Sequence, residues 1–108
     1  MAEFLTTAWV ELVEPELAGL TERVQLVVSG GPDGDVHLGA VGDEPALVLT
    51  TTAPAARAML DGTLDPNVAY MQGRLKTAGD SALLLRLLPG TRSEAFTERR
   101  RKLQSLTD

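Results

Sequence analysis

The sequence predicts an α+β fold, a mainly antiparallel sheet of four to five strands covered by helices. Three observations carry this expectation. Apolar residues alternate with period two across residues 23–29, 35–41 and 46–51. Apolar residues recur at helical spacing before that region and after it. Glycine, proline and aspartate fall at the changes of period, where turns and caps are needed.

In chain order, residues 3–13 read as an amphipathic helix, with Leu5, Trp9 and Leu12 on one face and Glu3 and Glu11 on the other. Pro15 is expected to end it, because the residue before a proline avoids helical backbone. Residues 16–21 form a polar-leaning connector. Val24, Leu26 and Val28 then share one face of a first strand, and Val36, Leu38 and Ala40 one face of a second. Gly30-Gly31-Pro32-Asp33-Gly34 between them reads as a hairpin turn. A second turn, Gly42-Asp43-Glu44-Pro45, leads into a third strand that puts Leu47 and Leu49 on one face. Val24, Leu26, Val36, Leu38, Leu47 and Leu49 call for one helix-covered side.

Thr52 and Pro54 are placed to begin a helix that Gly62 closes, with Ala56, Met59 and Leu60 inward. Asp65 can cap the next helix and Pro66 fits its first position, while Gly73 stops it. In residues 74–78 the period returns to two, with Leu75 opposite Arg74 and Lys76. Asp80 or Ser81 can cap a helix over residues 82–88, whose stripe is Leu83, Leu84, Leu87 and Leu88. Pro89-Gly90 is expected to end it and act as a hinge. Ser93 can cap a tail helix to residue 106, expected over the mouth of the apolar layer and dispensable for folding. The organisation expected is one domain over 1–108, with an N-terminal helix (1–14), a core (23–88) and a tail helix (93–108).

The stretch from Gly62 to Leu88 carries a resemblance. Gly62, Leu64, Asp65, Pro66, Ala69, Tyr70, Met71, Gln72, Gly73, Arg74, Leu75, Lys76, Gly79 and Asp80 stand in the order found in the sterol carrier protein 2 family of lipid-binding domains. The chain resembles the small bacterial stand-alone members of that family. Arg74 takes the place of the family's usual lysine, and Thr77 that of a branched apolar residue. The resemblance implies a sterol carrier protein-like fold, usually of five strands, and an apolar ligand pocket between helices and sheet.

Composition narrows the function classes. A formal net charge of −5 argues against general nucleic-acid binding. With no cysteine there is neither a disulfide framework nor thiol chemistry, which suits a reducing, cytoplasmic setting. No leader is apparent at the N-terminus, and no apolar run approaches membrane-spanning length. His37, the one histidine, falls on the polar face of a strand, and no Gly-x-Ser-x-Gly elbow is present. Asp33 and Asp35 flank a turn without the distal glutamate of a calcium loop. The expectation is no catalysis, no metal and no cofactor.

Binding is better supplied with residues. Met59, Leu60, Leu64, Tyr70, Met71, Leu83, Leu84, Leu87 and Leu88 lie on elements that must pack together. Periodicity alone reads them as ordinary core. The resemblance makes them the lining for a lipid or other apolar small molecule, a fatty acyl, acyl-CoA or sterol-like ligand. The other class is a structural or protein-interaction domain that keeps the fold with the cavity filled by side chains. Arg99, Arg100, Arg101 and Lys102 form a basic run suited to a solvated helix face or a weak contact with a membrane surface.

Overall fold

The computed structural model describes residues 2–17, 23–39 and 45–108. Helix α1 (Thr7–Leu17) precedes strands β1 (Val24–Gly31), β2 (Gly34–Leu38) and β3 (Leu47–Thr52). Helices α2 (Ala53–Asp61) and α3 (Pro66–Met71) follow, then β4 (Leu75–Gly79), α4 (Ser81–Gly90) and α5 (Glu94–Ser105). The expected second-strand residues Ala40 and Val41, the turn at Gly42, Asp43 and Glu44, and connector residues 18–21 lie outside the described residues.

The sheet has the order β2-β1-β3-β4 and is mixed. β1 pairs antiparallel with β2, and β3 antiparallel with β4. β1 and β3 run parallel, Val24 opposite Leu47 and Leu26 opposite Leu49. The register places Val24, Leu26, Val28, Val36, Leu38, Leu47, Leu49 and Leu75 on one side, as the alternation requires. That side carries two apolar clusters in place of the single expected core. One joins Val24, Leu47 and Leu75 to α2, α3 and α4, and the other joins Val28, Val36 and Leu38 to α1. On the opposite side, His37, Thr50, Thr52 and Lys76 are exposed.

Helix α1 corrects the first expected boundaries. It starts at Thr7 because two N–H groups of its first turn find acceptors. Thr7 N donates to Asp33 Oδ2 at 3.0 Å and Trp9 N to Thr6 Oγ1 at 3.3 Å. Pro15 lies inside the last turn and α1 continues to Leu17. Its ring removes one late backbone hydrogen bond, while Val13 is buried and Leu17 packs against the second cluster. Before the helix, Leu5 adopts φ 64, a left-handed conformation that costs a residue with a Cβ about 1–3 kcal/mol. Its side chain is 1% exposed and lies against Gly31, where an added Cβ would come within 3.1 Å of Leu5 Cβ. Burial of a leucine offsets the strain.

The tail also differs from expectation. Ser93 does cap α5, accepting from Phe96 N at 3.2 Å. The helix packs on α1 and α2, however, away from the α3–α4 layer, with Leu103 and Leu106 against the second cluster. Pro89 and Gly90 lie within α4, and turn bonds from Thr91, Arg92 and Ser93 N–H close the expected hinge. Both chain ends meet here. Ala2 N donates to Leu106 O at 3.0 Å, and Asp108 N to Ala2 O at 2.9 Å. Trp9 Nε1 donates to the buried Thr107 hydroxyl at 2.8 Å, which itself donates to Leu103 O at 2.7 Å. Of the basic run, Arg99 and Arg100 are half-buried, Arg101 pairs with Glu98 at 2.8 Å, and Lys102 is exposed.

Candidate functional site

The candidate site is the apolar layer between α2, α3, α4 and the β1–β3–β4 part of the sheet. Three local devices hold its walls. Gly62 ends α2 with φ 83, turning the chain so that Leu64 is buried in the layer. Gly79 (φ 117) lets β4 pass so close to β3 that an added Cβ would collide with Ala46 O. Asp80 then accepts from Ala82 N at 3.0 Å and Leu83 N at 3.2 Å, fixing the start of α4. From that start, helical spacing delivers Leu84 and Leu88 to the buried side. Thr52, expected to cap α2 with its side chain, makes no such bond, and Pro54 in the first turn removes one donor that needed it.

A polar clasp joins α3 to the far end of α4. Asp65 Oδ1 accepts from Asn67 N at 2.9 Å and from Asn67 Nδ2 at 2.8 Å. Asn67 Nδ2 also lies 3.0 Å from Leu88 O, which accepts from Thr91 Oγ1 at 2.6 Å. Arg92 closes the ring, with Nη2 at 2.9 Å and Nε at 3.0 Å from Asp65 Oδ2. Hydrogen bonds from the Asn67 side chain and backbone hold the Asp65 carboxyl below its usual 3.8; burial opposes this and Arg92 adds to it. A carboxylate with a depressed folded pKa contributes stability above its unfolded pKa, and loses it as pH falls through the folded value. Asp65→Asn keeps a capping oxygen but loses the charge that strengthens the bonds from Asn67 and Arg92, and should therefore destabilise the protein at neutral pH by roughly 0.5–1 kcal/mol. That deficit should begin to shrink below the unfolded value of about 3.8 and close only as pH falls through the lower folded one. Melting temperatures of both proteins across pH 2–7 check this; a deficit constant with pH would refute it.

The nine residues expected to line a ligand site divide into groups. Leu64, Leu84 and Leu88 are buried within the layer, and Met59, Leu83 and Leu87 are partly buried against it. Leu60 is buried near the end of α2, where its carbonyl accepts from Gln104 of α5. Tyr70 and Met71 do not join them. Tyr70 is 41% exposed and Met71 83% exposed, because the inward position of short α3 is taken by Ala69. Sequence reasoning passed over Ala55, Asn67, Thr91 and Arg92, and met Ala69 only as a residue of the family pattern, without an inward position. The two alanines gave no size signal, and only Asn67, two residues after a capping aspartate, belonged to a recognisable local pattern.

A concavity lies elsewhere, between α1 and the β1–β2 hairpin. It is a shallow, open groove of about 180 Å³, bordered by Leu5, Val10 and Val36 with Asp33, Asp35 and His37. Its mixed polar edge and small volume suit water better than an acyl chain or a sterol, since ligand pockets usually span about 300–1,000 Å³. Among the described residues no group of three or more histidine, cysteine or carboxylate side chains could hold a metal ion. No helix among them is long and apolar enough to cross a membrane.

Comparison with known proteins bears on this layer. Residues 4–89 match the model of the SCP-2 sterol transfer family. No curated protein matches the chain. Among solved structures, the conserved hypothetical protein TT1886 of Thermus thermophilus superposes with a TM-score of 0.63 at 18% identity, over 98% of this chain and 91% of its own. The sterol carrier protein domain 2 of Helicoverpa armigera gives 0.54 at 19% identity, over 89% and 85%. Sterol carrier protein 2 like 2 of Aedes aegypti gives 0.54 at 18% identity, over 76% and 92%. At these identities the structures establish a shared fold.

Proposed function

Since the chain belongs to the SCP-2 sterol transfer family, we propose that it is a non-catalytic lipid-binding module, taking a fatty acyl, acyl-CoA or sterol-like molecule between α2–α4 and the sheet. The observation that carries this reading is the make-up of the layer. Met59, Leu83, Leu87 and Leu49 are half-buried around the buried Leu64, Leu84 and Leu88, all apolar side chains. Such a surface offers dispersion contacts to an alkyl chain or ring system and nothing to activate a bond. Met59 adds a flexible, polarizable side chain suited to irregular ligands. Leu60 completes the proposed lining, and Tyr70 and Met71 lie outside it, where they can meet a ligand only on its way in. The reading treats residues 1–108 as one domain working in the cytoplasm, without a metal or cofactor.

Native mass spectrometry of protein purified from cells tests it directly. Co-purifying lipid is expected, as is a rise in melting temperature when a lipid-free sample is given a long-chain fatty acid. At a free ligand concentration of 100 times Kd, linkage gives about 2.7 kcal/mol of stabilisation, roughly 10 °C or more for a domain of this size. Leu87→Trp should block uptake while leaving the protein folded. A clean unliganded mass with no thermal shift would sink the proposal.

One observation favours a second reading, a structural or interaction domain with its layer filled. Leu47, Ala69, Leu75 and Leu84 are buried against one another, and Thr77 is half-buried where the family pattern has a branched apolar residue. The same two measurements decide between the readings.

A further inference from the structure

We propose that two copies of the chain join through the outer edge of β2, making one continuous sheet across a two-fold axis. β2 stands at one end of the sheet, and among the described residues its backbone pairs with β1 alone. The groove between α1 and the hairpin runs along that edge. Asp35, Val36 and His37 all border it, together with Thr7 and Val10 of α1. Consecutive strand residues project to opposite faces, so three in a row can line one concavity only along the edge of their strand. Such a groove admits an extended chain, whose main-chain groups can bond the outward N–H and C=O groups of β2. The other end of the sheet is guarded. β4 carries exposed Lys76, a residue type that hinders edge pairing, and α3 packs against that strand. Residues 34–38 of β2 include neither lysine nor proline.

The side chains identify the occupant as a second copy. Residues directly opposite in an antiparallel pair project to the same side, so the two-fold axis must pass through one residue of the strand. With the axis at Val36, Asp35 of each copy lies opposite His37 of the other, and Val36 lies opposite itself. Asp35 and His37 are exposed on one side of the sheet, and Val36 is buried on the other. The imidazole can donate an N–H to the carboxylate in either charge state, twice in each dimer. Among the described residues neither side chain has an ion-pair partner within its own molecule. Moving the axis to residue 35 or 37 sets two carboxylates or two imidazoles face to face, so the chemistry selects one register. A foreign strand could use the main-chain groups, but the Asp-x-His spacing is complementary to itself. Because the contact consumes both β2 edges, assembly stops at the dimer. The inference stands on edge geometry alone, whether or not the α2–α4 layer holds lipid.

Analytical ultracentrifugation of the full chain, up to about 1 mM, tests it. One short strand makes a small interface, so a monomer–dimer equilibrium with a Kd on the order of 0.1 mM is expected. His37→Asp sets carboxylate against carboxylate at both pairs and should weaken dimerisation by roughly tenfold or more. Adding Asp35→His restores unlike partners, and the double variant should return to within about threefold of the wild type. Amide hydrogen exchange within residues 34–38 should slow as the wild-type concentration rises. Both substituted positions are exposed, and circular dichroism melting verifies that each variant keeps the fold. A wild-type protein monomeric to about 1 mM would overturn the proposal and leave the edge to a foreign strand. A dimer indifferent to His37→Asp, a double variant no better than the single, growth beyond the dimer, or exchange in β2 independent of concentration would overturn it equally.

Discussion

Gly79→Ala is expected to destabilise the protein by about 2–5 kcal/mol, enough to unfold much of a small domain. Two penalties add at this position. The backbone holds φ 117, which L residues with a Cβ rarely adopt, and the added methyl would overlap Ala46 O. Neither party has room to yield. Ala46 O already accepts from Asp80 N at 2.8 Å, and Leu47, paired with Gly79 across the strands, is buried at the centre of the layer. Moving the β3 start would therefore disturb the cap of α4 and the layer beneath it together. Urea unfolding of the variant measures the cost. Gly73→Ala is the comparison: its φ of 73 carries similar backbone strain, but nothing lies within 4 Å of the added Cβ. A Gly79→Ala protein no less stable than Gly73→Ala would show that the close strand approach is unimportant.

Trp9→Ala should cost about 3–5 kcal/mol, the usual range for truncating a buried aromatic residue. Trp9 is 4% exposed, stands edge-on to Phe4 with ring centroids 5.0 Å apart, and reaches Thr107 through its indole nitrogen. The substitution removes a large side chain from the second cluster and leaves the Thr107 hydroxyl without its donor. Trp9→Phe keeps most of the volume and loses the hydrogen bond, so an intermediate cost near 1–2 kcal/mol is expected. Thr107→Val isolates the same bond from the other side and leaves a buried N–H unpaired. Chemical denaturation of the three variants checks the order; Trp9→Phe as damaging as Trp9→Ala would mean that packing contributes little.

Much of the fold was legible because it is written in short-range chemistry. Alternation along β1, β2 and β3 marked both the strands and the side they bury. Asp65, Asp80 and Ser93 each announced a helix start, and each side chain accepts the first-turn N–H groups expected of a cap. What escaped depends on contacts made across the chain. Pro15 read as a helix end, yet α1 continues through it to Leu17, which packs against the second cluster, whereas α4 does end at Pro89-Gly90. The parallel pairing of β1 with β3 leaves no local trace, since a half-buried strand alternates alike in either direction. Burial of the leucines was legible, because helical spacing fixes their direction. Exposure of Tyr70 and Met71 was not, because a six-residue helix has room for one inward position and Ala69 holds it. The tail was assigned the wrong neighbour because its strongest tie, Thr107 to Trp9, spans 98 residues.

That tie sets an order of events during synthesis. Helix α1 is made well before the residues that complete its surroundings, Leu103, Leu106 and Thr107. At ordinary elongation rates the interval is roughly 5–20 s. Through it, Trp9 and Val13 can rest on β1, β2 and the start of α2, and the indole N–H must stay with water. Until α5 is made, the nascent chain thus carries an open apolar seam. Docking of α5, which brings the two ends together through Ala2 and Thr107, closes that seam in a late step.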